Sequence, residues 1–66
     1  MKYPLVTIGV TCYNNERYIN TCIDSILNQT YQNVEIIVVD DYSIDNSIFI
    51  LQQYKNRIRL IQHEKN

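Results

Sequence analysis

Two hydrophobic rhythms alternate along the chain. Residues 5–12, LVTIGVTC, are β-branched and apolar with few polar breaks, the pattern of a strand covered on both faces. Gly9 lies inside this run. A glycine weakens a strand unless something must approach closely, and helix packing against the sheet is the expected reason. Ile19, Cys22, Ile23, Ile26 and Leu27 then recur at i, i+3, i+4, i+7 and i+8, the stripe of an amphipathic helix over about residues 16–28. Asn14 or Asn15 can cap that helix, and Glu16 in its first turn complements the dipole. After the polar connector QTYQN, the run Val34 to Val39, broken only by Glu35, reads as a buried parallel strand. Ser43, Asp45 and Asn46 supply capping chemistry for a second helix over about residues 45–55, with Ile48, Ile50, Leu51 and Tyr54 facing inward. The turn KNR closes it, and IRLIQ forms a third strand.

The order β-α-β-α-β, with connections long enough for parallel crossovers, predicts an α/β fold with three parallel strands. Right-handed crossovers place them in the order 3-2-1, with helices packed on the sheet. Strand 1 is then an edge. A continuous apolar edge exposes unpaired backbone groups and sticky side chains, so a further partner strand, or self-association through the bare edge, is expected there.

At 66 residues the chain is one folding unit at most, and a unit of that length buries only about 60% of the surface its unfolded form exposes. It reads as part of something larger. Six Lys plus Arg stand against seven Asp plus Glu. The basic residues are scattered, so no face for nucleic acid forms, and Lys55, Arg57 and Arg59 read as a solvated cluster at a helix end and an edge strand. Cys12 and Cys22 form no CxxC pair and have no histidine company at zinc spacing, so both are expected to be reduced thiols. Nothing at the N-terminus resembles a signal peptide, and no window approaches the roughly 20 apolar residues of a transmembrane segment. A cytoplasmic location is the expectation, with membrane association of a longer parent left open.

Ligands of open α/β sheets bind outside the carboxyl ends of the strands, and two such ends here carry polar chemistry. In VEIIVVDDYS, Asp40 and Asp41 are neighbours at a strand end and point to opposite faces, which argues against a shared metal. Asp40 is either a turn or cap residue or a ligand contact. Asp41 points past the strand into the crevice, where a carboxylate accepts a hydrogen bond from a ring N–H or a ribose hydroxyl. In VTCYNNE, Thr11 and Tyr13 leave the first strand on one side, and a phenol ring beside a hydroxyl suits a flat heterocycle. His63 has no carboxylate or cysteine at useful spacing and reads as a lone, solvent-exposed imidazole.

With these residues in place, the run from Val6 to Asn66 resembles the N-terminal segment of the family 2 glycosyltransferases, enzymes of the GT-A fold that use nucleotide-diphosphate sugars. The strand ending TCYNNE, the helix with SILNQTY, the strand IIVVDDYS followed by DNS, and the closing strand with HEKN carry the resemblance. It implies a truncated, Rossmann-like GT-A half domain over residues 1–66, a nucleotide-sugar donor with UDP preferred, and transfer of the sugar to an acceptor hydroxyl. By position it implies that Thr11 and Tyr13 contact the nucleoside and Asp41 holds the base, with Asp40 and Asn14 lining the same pocket. Mg²⁺ or Mn²⁺ would neutralise the diphosphate in the full-length parent. The metal-binding acidic motif and the general base of the family have no counterpart in these residues, so the 66-residue chain alone is expected to bind no metal and to be inactive. Tyr42 departs from the family, where Gly or Asn is frequent. If its φ is positive, the tyrosine carries strain of about 1 kcal/mol.

A non-catalytic nucleotide-binding or association fragment is the alternative. A receiver-like signalling module fits less well, because its acidic pair would lie on the first strand. A dinucleotide fingerprint would need three glycines, and the chain has one.

Overall fold

The computed structural model describes residues 4–64. Three strands and two helices alternate in the expected order: β1 (Val6–Cys12), α1 (Ile19–Leu27), β2 (Val34–Asp41), α2 (Ser47–Gln52) and β3 (Arg59–His63). The strands form one parallel sheet with β2 in the centre, the 3-2-1 order read from either edge.

The register divides the side chains into two layers. Ile8 pairs with Ile36, Val10 with Val38 and Cys12 with Asp40, and on the other side of β2 Val38 pairs with Leu60. These even-numbered residues meet the helices. Ile36, Val38 and Cys12 are buried together with Ile19 and Ile23 of α1, Leu51 of α2 and Ile58 ahead of β3. Two crossovers that step in the same direction with the same hand place both helices on one side of the sheet.

The other layer is open. Thr7, Gly9 and Thr11 pair with Glu35, Ile37 and Val39, and Arg59, Ile61 and His63 continue it on β3. None of these residues is buried. The expectation that β1 is covered on both faces is therefore corrected: the two helices supply one cover only. The reading of Gly9 changes with it. Gly9 faces the helix-free side, and a Cβ there would meet nothing within 4 Å.

Helix boundaries also differ from the hydrophobic pattern. The chain enters α1 through a turn in which the carbonyl of Asn15 accepts the N–H groups of Tyr18 and Ile19, both at 2.9 Å. Asn15 thus opens the helix with its backbone, and no side-chain cap is made at Tyr18. The α2 helix is six residues long because its end tightens. Gln53, Tyr54 and Arg57 donate to carbonyls three residues back rather than four, the geometry of short 3₁₀-type turns. Among the described residues, no helix is long and apolar enough to cross a membrane.

Candidate functional site

At the carboxyl ends of the strands, on the helix-free side, lies a cleft of about 480 Å³. Its walls follow from the register. Thr11 pairs with Val39, and Asp41 pairs with His63, so all four share the odd-numbered layer at the rim. Tyr13 stands over them from the first turn beyond β1, half exposed, and Cys12 and Asn15 complete the wall. Thr11, Tyr13 and Asp41 are thereby brought together in one volume. A cleft of this size fits a nucleoside-sized ligand.

Asp40 lies elsewhere. It is on the helix side, 1% exposed, and both of its oxygens are engaged by Ser43, whose N–H donates at 2.9 Å and whose hydroxyl donates at 2.5 Å. Short, charge-assisted bonds of this kind fix a turn firmly. Asn14 is absorbed in the same manner. Its N–H donates to Ser43 Oγ at 2.9 Å, and its Oδ1 accepts the N–H of Ile44 at 2.9 Å. Asp40 and Asn14 are thus held by the β2-α2 turn, and neither is in the cleft wall.

A second set of bonds ties the two rim loops together. Ser47 Oγ accepts the N–H of Asn15 at 2.9 Å. Asp45 accepts the N–H of Ser47 at 2.9 Å and that of Glu16 at 3.2 Å. Desolvation pushes the Asp45 carboxyl up, but the donors from Ser47 and Glu16 outweigh it and hold it below the ordinary value. The capping chemistry foreseen for α2 therefore also serves α1. The N–H groups of Asn15 and Glu16, in the turn that leads into α1, are satisfied by side chains from the other loop, which fixes Tyr13 and Asp41 relative to each other.

Cys12 is buried at the base of the wall, and burial pushes its thiol up. The neighbouring Asp40 carboxylate adds to this, while Ser47, Ser43 and the Asn15 N–H oppose it. A thiol of raised pKa is a poor nucleophile at neutral pH. Cys12 and Cys22 are both free.

The view of His63 as a lone imidazole is corrected. It is the last residue of β3, and its Nδ1 lies 3.4 Å from Asp41 Oδ1, at the outer edge of hydrogen-bond range. Spacing in the sequence, 22 residues, conceals this; parallel pairing creates it. Among the described residues, no three His, Cys, Asp or Glu side chains cluster as a metal site.

The chain matches the family described as Glycosyl transferase family 2 over residues 7–66. It is 45% identical to EpsH of Bacillus subtilis (strain 168) over 67 residues, covering 97% of this chain and 20% of EpsH. It is 45% identical to the glycosyltransferase GlyG of Streptococcus pneumoniae, covering 91% of this chain and 21% of GlyG. Chondroitin synthase of Escherichia coli is 41% identical, over 96% of this chain and 10% of that protein. The chain thus spans about a fifth or less of the length of these relatives. Its three parallel strands and two helices are those of a truncated, Rossmann-like GT-A half domain, and the chain belongs to the family 2 glycosyltransferases.

Proposed function

We propose that the rim cleft holds the nucleoside of a nucleotide-diphosphate sugar, with UDP as the preferred nucleotide, and that the whole protein transfers the sugar to an acceptor hydroxyl. The observation that carries this reading is the convergence of Thr11, Tyr13 and Asp41 on one cleft at the strand ends. Each has a chemical part. The Tyr13 ring offers a face for the base, the Thr11 hydroxyl donates or accepts at its edge, and the Asp41 carboxylate accepts a ring N–H or a ribose hydroxyl.

The residues present do not fit a divalent ion. Asp40 and Asp41 project to opposite sides of the sheet, and Asp40 is occupied by Ser43. In this reading Mg²⁺ or Mn²⁺ belongs to carboxylates outside the 66 residues, and the chain alone binds nucleotide without turnover. The two free thiols fit a cytoplasmic site. The outer edge of β1, unpaired among the described residues, is in this reading the surface for self-association.

The test is a titration of the protein with UDP, followed by NMR at the amides of Tyr13 and Asp41. Saturable shifts at both, absent with ADP, are expected. If UDP moves neither resonance, the reading is lost.

A further inference from the structure

Among the cleft-wall residues that the nucleoside reading leaves unused is the imidazole of His63. It lines the same volume as Thr11, Tyr13 and Asp41, and it is placed there by strand register rather than by a mobile loop. Its Nδ1 faces Asp41 Oδ1 at 3.4 Å. That leaves Nε2 as the ring position for a ligand. Both side chains are about half exposed, so a ligand entering the cleft meets them together.

We propose that His63 is a specificity-determining contact of this cleft: paired with Asp41, it reads the imide edge of a uracil-type base, the carboxylate accepting the ring N–H and the imidazolium donating from Nε2 to the adjacent carbonyl. This rests on the nucleoside reading above and adds to it a partner for Asp41.

The chemistry of the edge calls for such a pair. An imide presents a donor flanked by acceptors. A carboxylate alone satisfies the N–H, but it sets its own lone pairs beside those of the neighbouring carbonyl. A donor next to the carboxylate removes that repulsion. Imidazolium is a donor at both nitrogens, so Nδ1–H can serve Asp41 while Nε2–H serves the base. A cytosine ring offers an acceptor and an amino group at these positions, which would leave Asp41 facing a lone pair. Unmatched polar groups of this kind give strong discrimination.

The charged groups around His63 are of both signs. Asp41 faces it from β2, and Tyr13 lines the same cleft from the turn beyond β1. On its own strand Arg59 lies on the same face, four residues back, and Glu64 follows directly. The neighbour within contact range is the Asp41 carboxylate.

The test uses uridine and cytidine, which carry no phosphate that titrates near neutrality, with binding followed by NMR between pH 5.5 and 8. Uridine is expected to bind about threefold to tenfold more tightly at pH 5.5 than at pH 8, and more tightly than cytidine at pH 5.5. His63→Ala is expected to lose this gain and bind with a flat pH profile. His63→Gln keeps an N–H donor, and is expected to restore uridine binding without the pH dependence. Two results would overturn the assignment. If His63→Ala binds uridine as the unchanged protein does at every pH, while Tyr13→Ala and Asp41→Asn weaken it, His63 has no part and the nucleoside reading stands. If the unchanged protein binds neither nucleoside at any pH, both fall together.

Discussion

Ser47, the first residue of α2, accepts the backbone N–H of Asn15 on its Oγ at 2.9 Å, across 32 positions of sequence. The turn that opens α1 is therefore capped by the other helix. Ordinarily the residue at the head of a helix supplies its own cap. Here the backbone N–H groups of Asn15 and Glu16, in the turn that leads into α1, are bonded by the side chains of Ser47 and Asp45, and the two rim turns share a common set of bonds.

Ser47→Ala tests this directly. Ser47 is fully buried, so the substitution leaves the Asn15 N–H without an acceptor. The expected loss is about 1–2 kcal/mol, read as a lowered urea midpoint. The amides of Tyr13 and Asn15 should move in NMR spectra as well, because they ride on that turn.

Acid should weaken the same junction through Asp45. Its carboxyl is held below the ordinary value of 3.8, so its ionised form is favoured in the fold. The stability it contributes is complete above that ordinary value and is lost as pH falls through the lowered one. Urea midpoints measured from pH 5 downward should drop across this window. In Asp45→Asn that limb should flatten, from a lower starting midpoint.

Tyr42 has φ of 62°, in the left-handed region, and Asn14 has φ of 50°. Asparagine visits this region readily, whereas a bulky side chain is strained there by roughly 1–2 kcal/mol. Tyr42→Asn should raise stability by about 1 kcal/mol. Asn14→Ala should lower it, since it adds strain at one position and removes the acceptor for the Ile44 N–H. Thermal melts of the two variants should shift in opposite directions.

Tyr54 joins the helices away from the cleft. Its hydroxyl donates to Asp24 Oδ1 at 2.7 Å and accepts from Asn20 Nδ2 at 3.0 Å. Desolvation, then the Asp24 hydrogen bond and charge, push its phenol up to about 12 against the opposing effect of Arg57. The neutral phenol is thus the folded form. Its contribution is intact below the ordinary value of 10.0 and declines as pH rises toward the raised one. Tyr54→Phe should cost about 0.5–1.5 kcal/mol at neutral pH and make the remaining stability less sensitive between pH 10 and 12, as followed by circular dichroism.

The hydrophobic pattern was sufficient for element type and strand order, because each strand run and the Ile19-to-Leu27 stripe had one period only. It failed where the answer depended on what lay across the sheet. The apolar run of β1 resembles a strand with two covers, yet Gly9 and Thr11 face an open layer. Alternation at Asp40 and Asp41 was legible, and it separated a buried turn anchor from a rim group. The shared bonds of Asn14, Ser43, Asp45 and Ser47 were not legible, since capping residues signal a helix start without saying which helix. His63 was missed for a similar reason: its carboxylate neighbour is set by strand pairing, which local spacing does not encode.

Strand pairing also makes the length of the final segment matter as much as its content. Because side chains alternate faces at every step, deletion of Arg59 would turn the imidazole toward the helices and bring Glu64 to the mouth of the cleft. It would also turn the Leu60 side chain out of the layer it shares with Val38. Point substitutions here can be graded and reversible; a change of frame by one would exchange the ligand surface and the packing surface at once.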